Sequence, residues 1–337
     1  MTNRVQLFLA SAVLGASVFA GCGEKEESIR GGQAEELELM LDFFVNPDHA
    51  GIYTALENGH FAGAGLDVTP RVPSDPAAPI KLVASGQADL AVSYEPEVLL
   101  ARDQGLPVVA VAAIVPEPLT SLISLPDAEI ADPSDLRGKT IATAGIPYQD
   151  AFLGRILRDA RLSPEDVKQV SVGLGLEQAV LSGEADAMLG GFKNVEGVSL
   201  EERGENPQVV PVDKLGIPTY DELVLVASSE QVEEDPEPIR LFIAALERGT
   251  EDAVDDPDAA TDAILEAGDG LDPKLTQAEI EATLPLLLPN GKGPFGQMDE
   301  GEWDEFAGFL ADEGFIKARP EPGDGFTNEL LPGEIPE

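Results

Sequence analysis

"SGQADLAVSY" (residues 85–94) and "SGEADAMLGGF" (residues 182–192) write one pattern twice: Ser-Gly, Gln or Glu, Ala-Asp, then an apolar run. A glycine that stops a helix, followed by a short apolar run with an acidic entry, reads as a helix-to-strand return. Gly86 and Gly183 are the stops, and Asp89 and Asp186 stand at the strand entries. The recurrence predicts two copies of one α/β unit, each carrying the motif at an equivalent place. A common turn could recur by chance, and the flanking segments decide between the two readings.

Working outward, strand-like and helix-like segments alternate, as in an α/β fold with largely parallel sheets. Before and after the first copy, the predicted strands are "LELMLDFF", "GLDVTPRV", "ADLAVSY" and "LPVVAVAAIV". Helices "HAGIYTALENG", "DPAAPIKLVASG" and "EPEVLLARDQG" separate them. A second series starts near Asp132, with strands "TIATAG", "KQVSVGL", "ADAMLGG" and "PQVVPV". Its helices are "YQDAFLGRILRDA", "LEQAVLSG" and "KNVEGVSLEERG". The apolar "DELVLVASS" reads as a strand returning to the first lobe, and the remainder is mainly helical. The expected lobes are residues 37–125 plus 222–315, and 131–219, hinged by crossover strands. Residues 319–337, rich in Pro and Gly, read as a loose tail. Ligands of open α/β sheets sit beyond the carboxyl ends of the strands. Tyr94-Glu95 and Gly190-Gly191-Phe192 are therefore expected to face one another across a cleft.

Composition agrees with two lobes. The 337 residues exceed what one compact core usually holds, and 43% hydrophobic content supplies ample buried surface. Acidic residues number 63 against 21 basic, a formal net charge of −42. Such a polyanion repels nucleic acid and anionic headgroups, which removes both as partners. The acid is spread along the chain and reads as solvated surface. One cysteine, Cys22, leaves no internal disulfide and no Cys-rich metal site.

The cysteine's position carries more information. "MTNRVQLFLASAVLGASVFAGC" has a basic start, a short apolar run and small residues before Cys22, which is an export signal over 1–21. Ala20 and Gly21 before Cys22 resemble the bacterial lipoprotein processing box, with Phe19 where Leu is usual. The plainer alternative is a cleaved signal with an incidental cysteine. Residues 22–36 are polar and suit a flexible tether. The expectation is a monomer on the extracytoplasmic face, held by lipid on Cys22 and not by a membrane-spanning helix.

An exported, lipid-anchored chain with two α/β lobes resembles the solute-binding proteins of bacterial ABC importers. "LDFFVNPDHAGIYTALENGHFAGAGLDV" narrows the resemblance to the thiamine-pyrimidine-precursor (ThiY-type) binding proteins, as do "GGFKNVE" and "GIPTYDELV". The similarity runs over about residues 37–315. It implies a two-lobe periplasmic-binding-protein-like fold of type II, an aminopyrimidine or other small heteroaromatic ligand, an ABC permease as partner, and no cofactor, metal or catalytic residue. The family's Trp is Phe43 here and its Pro is Val45, so riboflavin or another heteroaromatic remains an alternative ligand.

The family's ligand contacts, carried over by position, fall on Asn46, His49, Tyr94, Glu196 and the region of Tyr220. A flat ring with exocyclic amines needs an aromatic platform plus fixed acceptors. Glu196 can accept from amino groups, and Asn46 can donate and accept. Phe43, Phe44, Tyr94, Tyr148, Phe192 and Tyr220 stand at strand ends as candidate platforms, with core packing as the alternative for each; Glu95 adds a carboxyl beside Tyr94. His49 is either a ligand contact or a structural hydrogen-bonder, and Glu196 either a ligand acceptor or a solvated helix carboxylate. The same family contains a pyrimidine synthase of yeast type, which is the competing enzymatic reading. That branch needs a lysine and a donor histidine where this chain has Ser93-Tyr94-Glu95-Pro96-Glu97, and a cysteine-rich motif that this chain lacks.

Overall fold

The structure, a computed structural model, describes residues 34–288, 294–321 and 323–332. The export signal, Cys22 and most of the expected tether lie outside the described residues.

Among the described residues, ten strands form two five-stranded sheets: β1 (Glu35–Met40), β2 (Leu66–Arg71), β3 (Leu90–Ser93), β4 (Val108–Val115), β5 (Thr120–Ser124), β6 (Thr140–Thr143), β7 (Lys168–Ser171), β8 (Ala187–Phe192), β9 (Gln208–Pro211) and β10 (Leu223–Ser228). The first sheet runs β2-β1-β3-β10-β4 and the second β7-β6-β8-β5-β9. In each, three strands are parallel, and the fourth in spatial order is antiparallel to both neighbours. The antiparallel strands are the crossovers: β5 carries the chain into the second sheet and β10 returns it to the first. β4 is buried throughout and β10 at all but its last residue. Continuous apolar strands are what a sheet covered on both faces requires. One helix crossing depends on glycine. A Cβ on Gly249, in helix Glu237–Asp255, would lie 2.4 Å from the Gly51 carbonyl oxygen in helix Ala50–Glu57.

The repeated motif has the same job in both sheets. Gly86 and Gly183 close their helices in the left-handed region, at φ 68° and 73°. The Asp89 carboxylate then accepts from the Glu38 N–H on β1 at 2.7 Å. Asp186 accepts from the Thr140 N–H on β6 at 2.7 Å. Each aspartate thus ties the start of a central strand to its parallel neighbour and helps set the register.

Two expected boundaries move. Strand β5 falls inside 37–125 yet pairs with β8 and β9, so the chain leaves the first sheet after Val115. Its short "TSLIS" run follows Pro-Glu-Pro, and nothing local says which sheet it joins. The residues expected as a loose tail are ordered from 323 to 332 against the first lobe. The Ala110 N–H donates to the Gly325 carbonyl at 3.0 Å, and the Thr327 N–H to the Ala110 carbonyl at 2.9 Å. Phe326 packs on Trp303 with ring centroids 4.8 Å apart, and Leu330 is buried. The open edge of β4 offers unpaired backbone groups, and this segment satisfies them. Helix Pro273–Leu287, expected with the first lobe, packs on helix Glu196–Glu202 of the second as well as on the Pro47–His49 turn of the first. Among the described residues no helix is long and apolar enough to cross a membrane.

Candidate functional site

β1 ends at Met40, two residues before the strand predicted from "LELMLDFF" would place Asp42. The chain leaves the sheet there, and Asp42–Asn46 become a loop at the carboxyl end of β1. Tyr94 follows β3, Ile146 and Tyr148 follow β6, and Leu174 follows β7. Phe192 closes β8, and Glu196 begins the next helix. All of these side chains line one cavity of about 410 Å³ between the sheets. The segment Gly270–Glu279 forms a third wall. Strand-end placement follows the general rule for open α/β sheets, and the volume suits a small ligand.

The deepest polar group on the first-lobe side is Asp42, 1% exposed. Its Oδ1 lies 2.8 Å from His49 Nε2, and its Oδ2 accepts from the Tyr94 hydroxyl at 2.8 Å. The Asn46 N–H donates to His49 Nδ1 at 3.3 Å, so both ring nitrogens are engaged. Asn46 caps the Pro47–His49 turn, accepting from the Asp48 N–H at 2.9 Å and donating to the Phe44 carbonyl at 3.0 Å. Tyr94 leans on Tyr148 with centroids 5.4 Å apart. Burial, and then the neighbouring Asp42 charge, push the Tyr94 hydroxyl pKa well up, so Tyr94 is a hydrogen-bond donor.

The second-lobe side is dominated by Glu196. Its Oε2 accepts from the Phe192 N–H at 2.7 Å. Burial pushes its pKa up to about 7, against the pull of the Phe192 and Glu196 backbone N–H groups, with Glu177 and Asp42 adding repulsion. Gly190, next to it in the wall, has φ 118°, and a Cβ there would meet the Gln149 amide at 2.2 Å. Only glycine fits. From the third wall comes Glu279, its pKa pushed up to about 8 by burial and by Glu196 and Glu177. Arg203 is drawn to Glu177 at 2.9 Å. The cavity therefore joins an aromatic floor to carboxyl groups in excess of cations, which favours a ring bearing N–H donors or positive charge.

Seven of the ten expected site residues line this cavity: Phe43, Phe44, Asn46, Tyr94, Tyr148, Phe192 and Glu196. Three do not. His49 is fully buried behind Asp42 and orients that carboxylate. Glu95 turns away from Tyr94, and its Oε2 accepts from the Asp221 N–H at 2.7 Å. Tyr220 is fully buried against Phe152 and Phe306, its hydroxyl donating to Glu222 at 2.8 Å. Asp42, Gln149, Glu177 and Glu279 line the cavity and were not anticipated. Asp42 was in view within "LDFF", but a strand reading alternates its direction and hides a loop carboxylate. Among the described residues no group of three or more His, Cys, Asp or Glu side chains is placed to hold a metal ion.

Residues 46–260 match the family model described as NMT1/THI5 like. The chain belongs to the NMT1/THI5-like family. It is 38% identical over 298 residues to a formylaminopyrimidine-binding protein of Halalkalibacterium halodurans, covering 87% of this chain and 90% of that one. It is 26% identical over 234 residues to a 4-amino-5-hydroxymethyl-2-methylpyrimidine phosphate synthase of Saccharomyces cerevisiae, covering 66% of this chain and 68% of that one. Among solved structures, the alkanesulfonate-binding protein of Xanthomonas axonopodis pv. citri superposes with a TM-score of 0.68 at 15% identity, over 88% of this chain and 99% of that one. The fold is the two-lobe periplasmic-binding-protein fold expected from the sequence. As a member of the NMT1/THI5-like family, the chain places Asn46 and the Glu196 helix inside the matched residues, with Asp42–Val45 of the first-lobe loop before them and the wall at Gly270–Glu279 beyond them.

Proposed function

We propose that this chain is the extracytoplasmic solute-binding protein of an ABC importer, capturing an aminopyrimidine precursor of thiamine and handing it to a membrane permease. The observation that carries the reading is the cavity: aromatic residues from both lobes enclose it, and the half-buried Glu196 faces into it from the second lobe. The aromatic groups give a flat ring a face to lie on. Glu196 offers a desolvated acceptor for an exocyclic amine, and the Tyr94 hydroxyl, its one hydrogen given to Asp42, offers a second acceptor for a ligand N–H. The likeness to the formylaminopyrimidine-binding protein supports the same ligand class. The role is capture and not catalysis: the Ser93–Glu97 stretch supplies neither the lysine nor the histidine that the synthase branch needs. Delivery would be by a single chain tethered through lipid on Cys22.

The test is calorimetry on purified protein titrated with formylaminopyrimidine and, separately, riboflavin, together with mass spectrometry of any ligand released on unfolding. Binding of the pyrimidine alone supports the reading. Riboflavin binding with no response to the pyrimidine would replace the ligand while leaving transport in place, and formation of a pyrimidine by the purified protein would return the chain to the enzymatic branch.

A further inference from the structure

Asp48 stands on the Pro47–His49 turn of the first lobe, and Asn194 follows β8 of the second. Both are buried, at 1% and 3% exposure, and they touch across the lobes. The Asn194 Nδ2 donates one hydrogen to Asp48 Oδ1 at 2.8 Å and the other to Thr283 Oγ1, on helix Pro273–Leu287, at 2.8 Å. Two atoms of this cluster have no hydrogen-bond partner among the described residues: Asp48 Oδ2 and Asn194 Oδ1. They are the second oxygen of the Asp48 carboxyl and the carbonyl oxygen of the Asn194 amide, two groups that already share one hydrogen bond. As long as the carboxyl is ionised, both atoms can only accept, and neither can satisfy the other. A proton on Asp48 Oδ2 turns one of them into a donor for the other and satisfies both.

We propose that Asp48 and Asn194 form a carboxylic acid–carboxamide pair whose two hydrogen bonds latch the lobes over the cavity, and that loss of its proton releases the latch. This rests on the cavity being the ligand site and gives that site its regulation. The surroundings favour the neutral acid. Burial pushes the Asp48 pKa well up, the Asn194 bond pulls it down, and Asp42, Glu196 and Glu222 push it up again. His49 on the same turn is engaged by Asp42. The helices packed on the turn bring Glu279 and Glu281 from Pro273–Leu287, and Asp258, Asp262 and Glu266 from Pro257–Ala267. Their cation, Lys274, is held by Glu202 at 2.7 Å. Asp48 also donates its N–H to the Asn46 side chain, and Asn194 lies two residues before Glu196. The latch therefore sets how the two ligand-facing loops meet.

The sign follows from linkage. Opening exposes Asp48 to water and lowers its pKa, so closing takes up a proton. Raising the pH from the open-state value up to the closed-state value must favour the open form, by up to about tenfold per pH unit. Asp48→Asn keeps both hydrogen bonds as a carboxamide pair with nothing to titrate. The test uses the full chain with Cys22→Ser and spin labels on Glu57→Cys and Glu184→Cys, one exposed site in each lobe. Interlobe distances are measured from acid to mildly alkaline pH, without ligand and with formylaminopyrimidine. The expected result is a closed population that shrinks as pH rises in the otherwise wild-type protein and is pH-independent in Asp48→Asn. A closed population that ignores pH in the parent, or follows pH equally in Asp48→Asn, overturns the latch. Because the ligand-free arm reads the latch alone, a ligand that fails to bind would count against the proposed ligand and not against the latch.

Discussion

Glu222 is the residue whose loss should be felt most widely, because it joins the two chain crossings. It is fully buried at the start of β10, and its carboxylate collects four hydrogen bonds. Oε2 accepts from the Leu119 N–H at 2.6 Å, the Thr120 N–H at 2.7 Å and the Tyr220 hydroxyl at 2.8 Å, and Oε1 accepts from the Thr120 hydroxyl at 2.8 Å. Leu119 and Thr120 lie where the chain enters the second sheet, and Tyr220 where it leaves. Glu222→Ala strands four donors in a dry site. At about 1 kcal/mol for each orphaned group, the floor is near 4 kcal/mol, against a total stability of about 5–15 kcal/mol. Glu222→Gln keeps an acceptor but loses the charge and turns an NH₂ toward at least one donor, for about 1.5–3 kcal/mol. Urea unfolding followed by far-UV circular dichroism measures both. The required order is wild type above Gln above Ala. An Ala variant within about 1 kcal/mol of wild type would refute the clamp, since it would mean that water or a rearranged loop satisfies those donors at little cost.

The other predictions can be stated briefly. Glu196→Gln should weaken formylaminopyrimidine binding by about ten- to a hundredfold in calorimetry, the value of a charge-assisted hydrogen bond in a closed cleft; unchanged affinity removes Glu196 from the contact set. Leu330→Ala should lower stability by about 2–4 kcal/mol in urea unfolding, whereas a loose tail would give almost nothing. Cys22→Ser should abolish fatty-acid labelling in cells and leave the fold intact; equal label in both forms would sink the anchor. Glu97 and Glu196, with pKa values near 7, and Glu279, near 8, are each raised by burial, so the folded state binds more protons than the unfolded one. Their contribution is complete below the ordinary carboxyl range and is lost as pH rises through those values; melting temperature should therefore fall between about pH 5 and pH 8, and a melting temperature that climbs across that interval contradicts the assignment.

The strand series and its division into two sheets were legible because both sheets are covered by helices, and burial on two faces forces continuous apolar runs such as those of β4 and β10. The repeated Asp was legible as a position but not as a function, since its role needs the neighbouring strand: Glu38 lies 51 residues before Asp89, and Thr140 46 residues before Asp186. What escaped is what depends on pairing choice. β5 has five buried residues and no feature that selects one sheet over the other; the choice is made by β8 and β9, which come later in the chain. The segment around Phe326 looked loose because Pro and Gly dominate it, yet an open β4 edge and the Trp303 ring hold it, and neither is visible from local composition.

At the site, the expected residues and the observed ones differ by a systematic step. His49, Glu95 and Tyr220 each spend their polar atoms on a neighbour rather than on the cavity: His49 on Asp42, Glu95 on the Asp221 N–H, Tyr220 on Glu222. A sequence motif marks residues that must keep company, and it does not say whether either of a pair faces the cavity. Of the three partners Asp42 lines the cavity; Asp221 and Glu222 are buried outside its lining, and Glu222 ties the chain crossing instead. Asp42 then has a defined task. Held by the His49 ring on one oxygen and the Tyr94 hydroxyl on the other, it cannot swing toward a ligand, so it presents Tyr94 rather than itself. Asp42→Asn should therefore act through Tyr94: the amide can still accept from the hydroxyl only by facing its NH₂ toward His49 Nε2. If that ring then turns to its other tautomer, the Asn46 N–H loses its acceptor at Nδ1, and the loop that carries Phe43 and Asn46 must shift. The expected signature is weakened ligand binding that Tyr94→Phe reproduces and the double variant does not deepen, with a coupling energy close to the effect of either change alone. Additive losses from the two substitutions would mean that Asp42 meets the ligand directly.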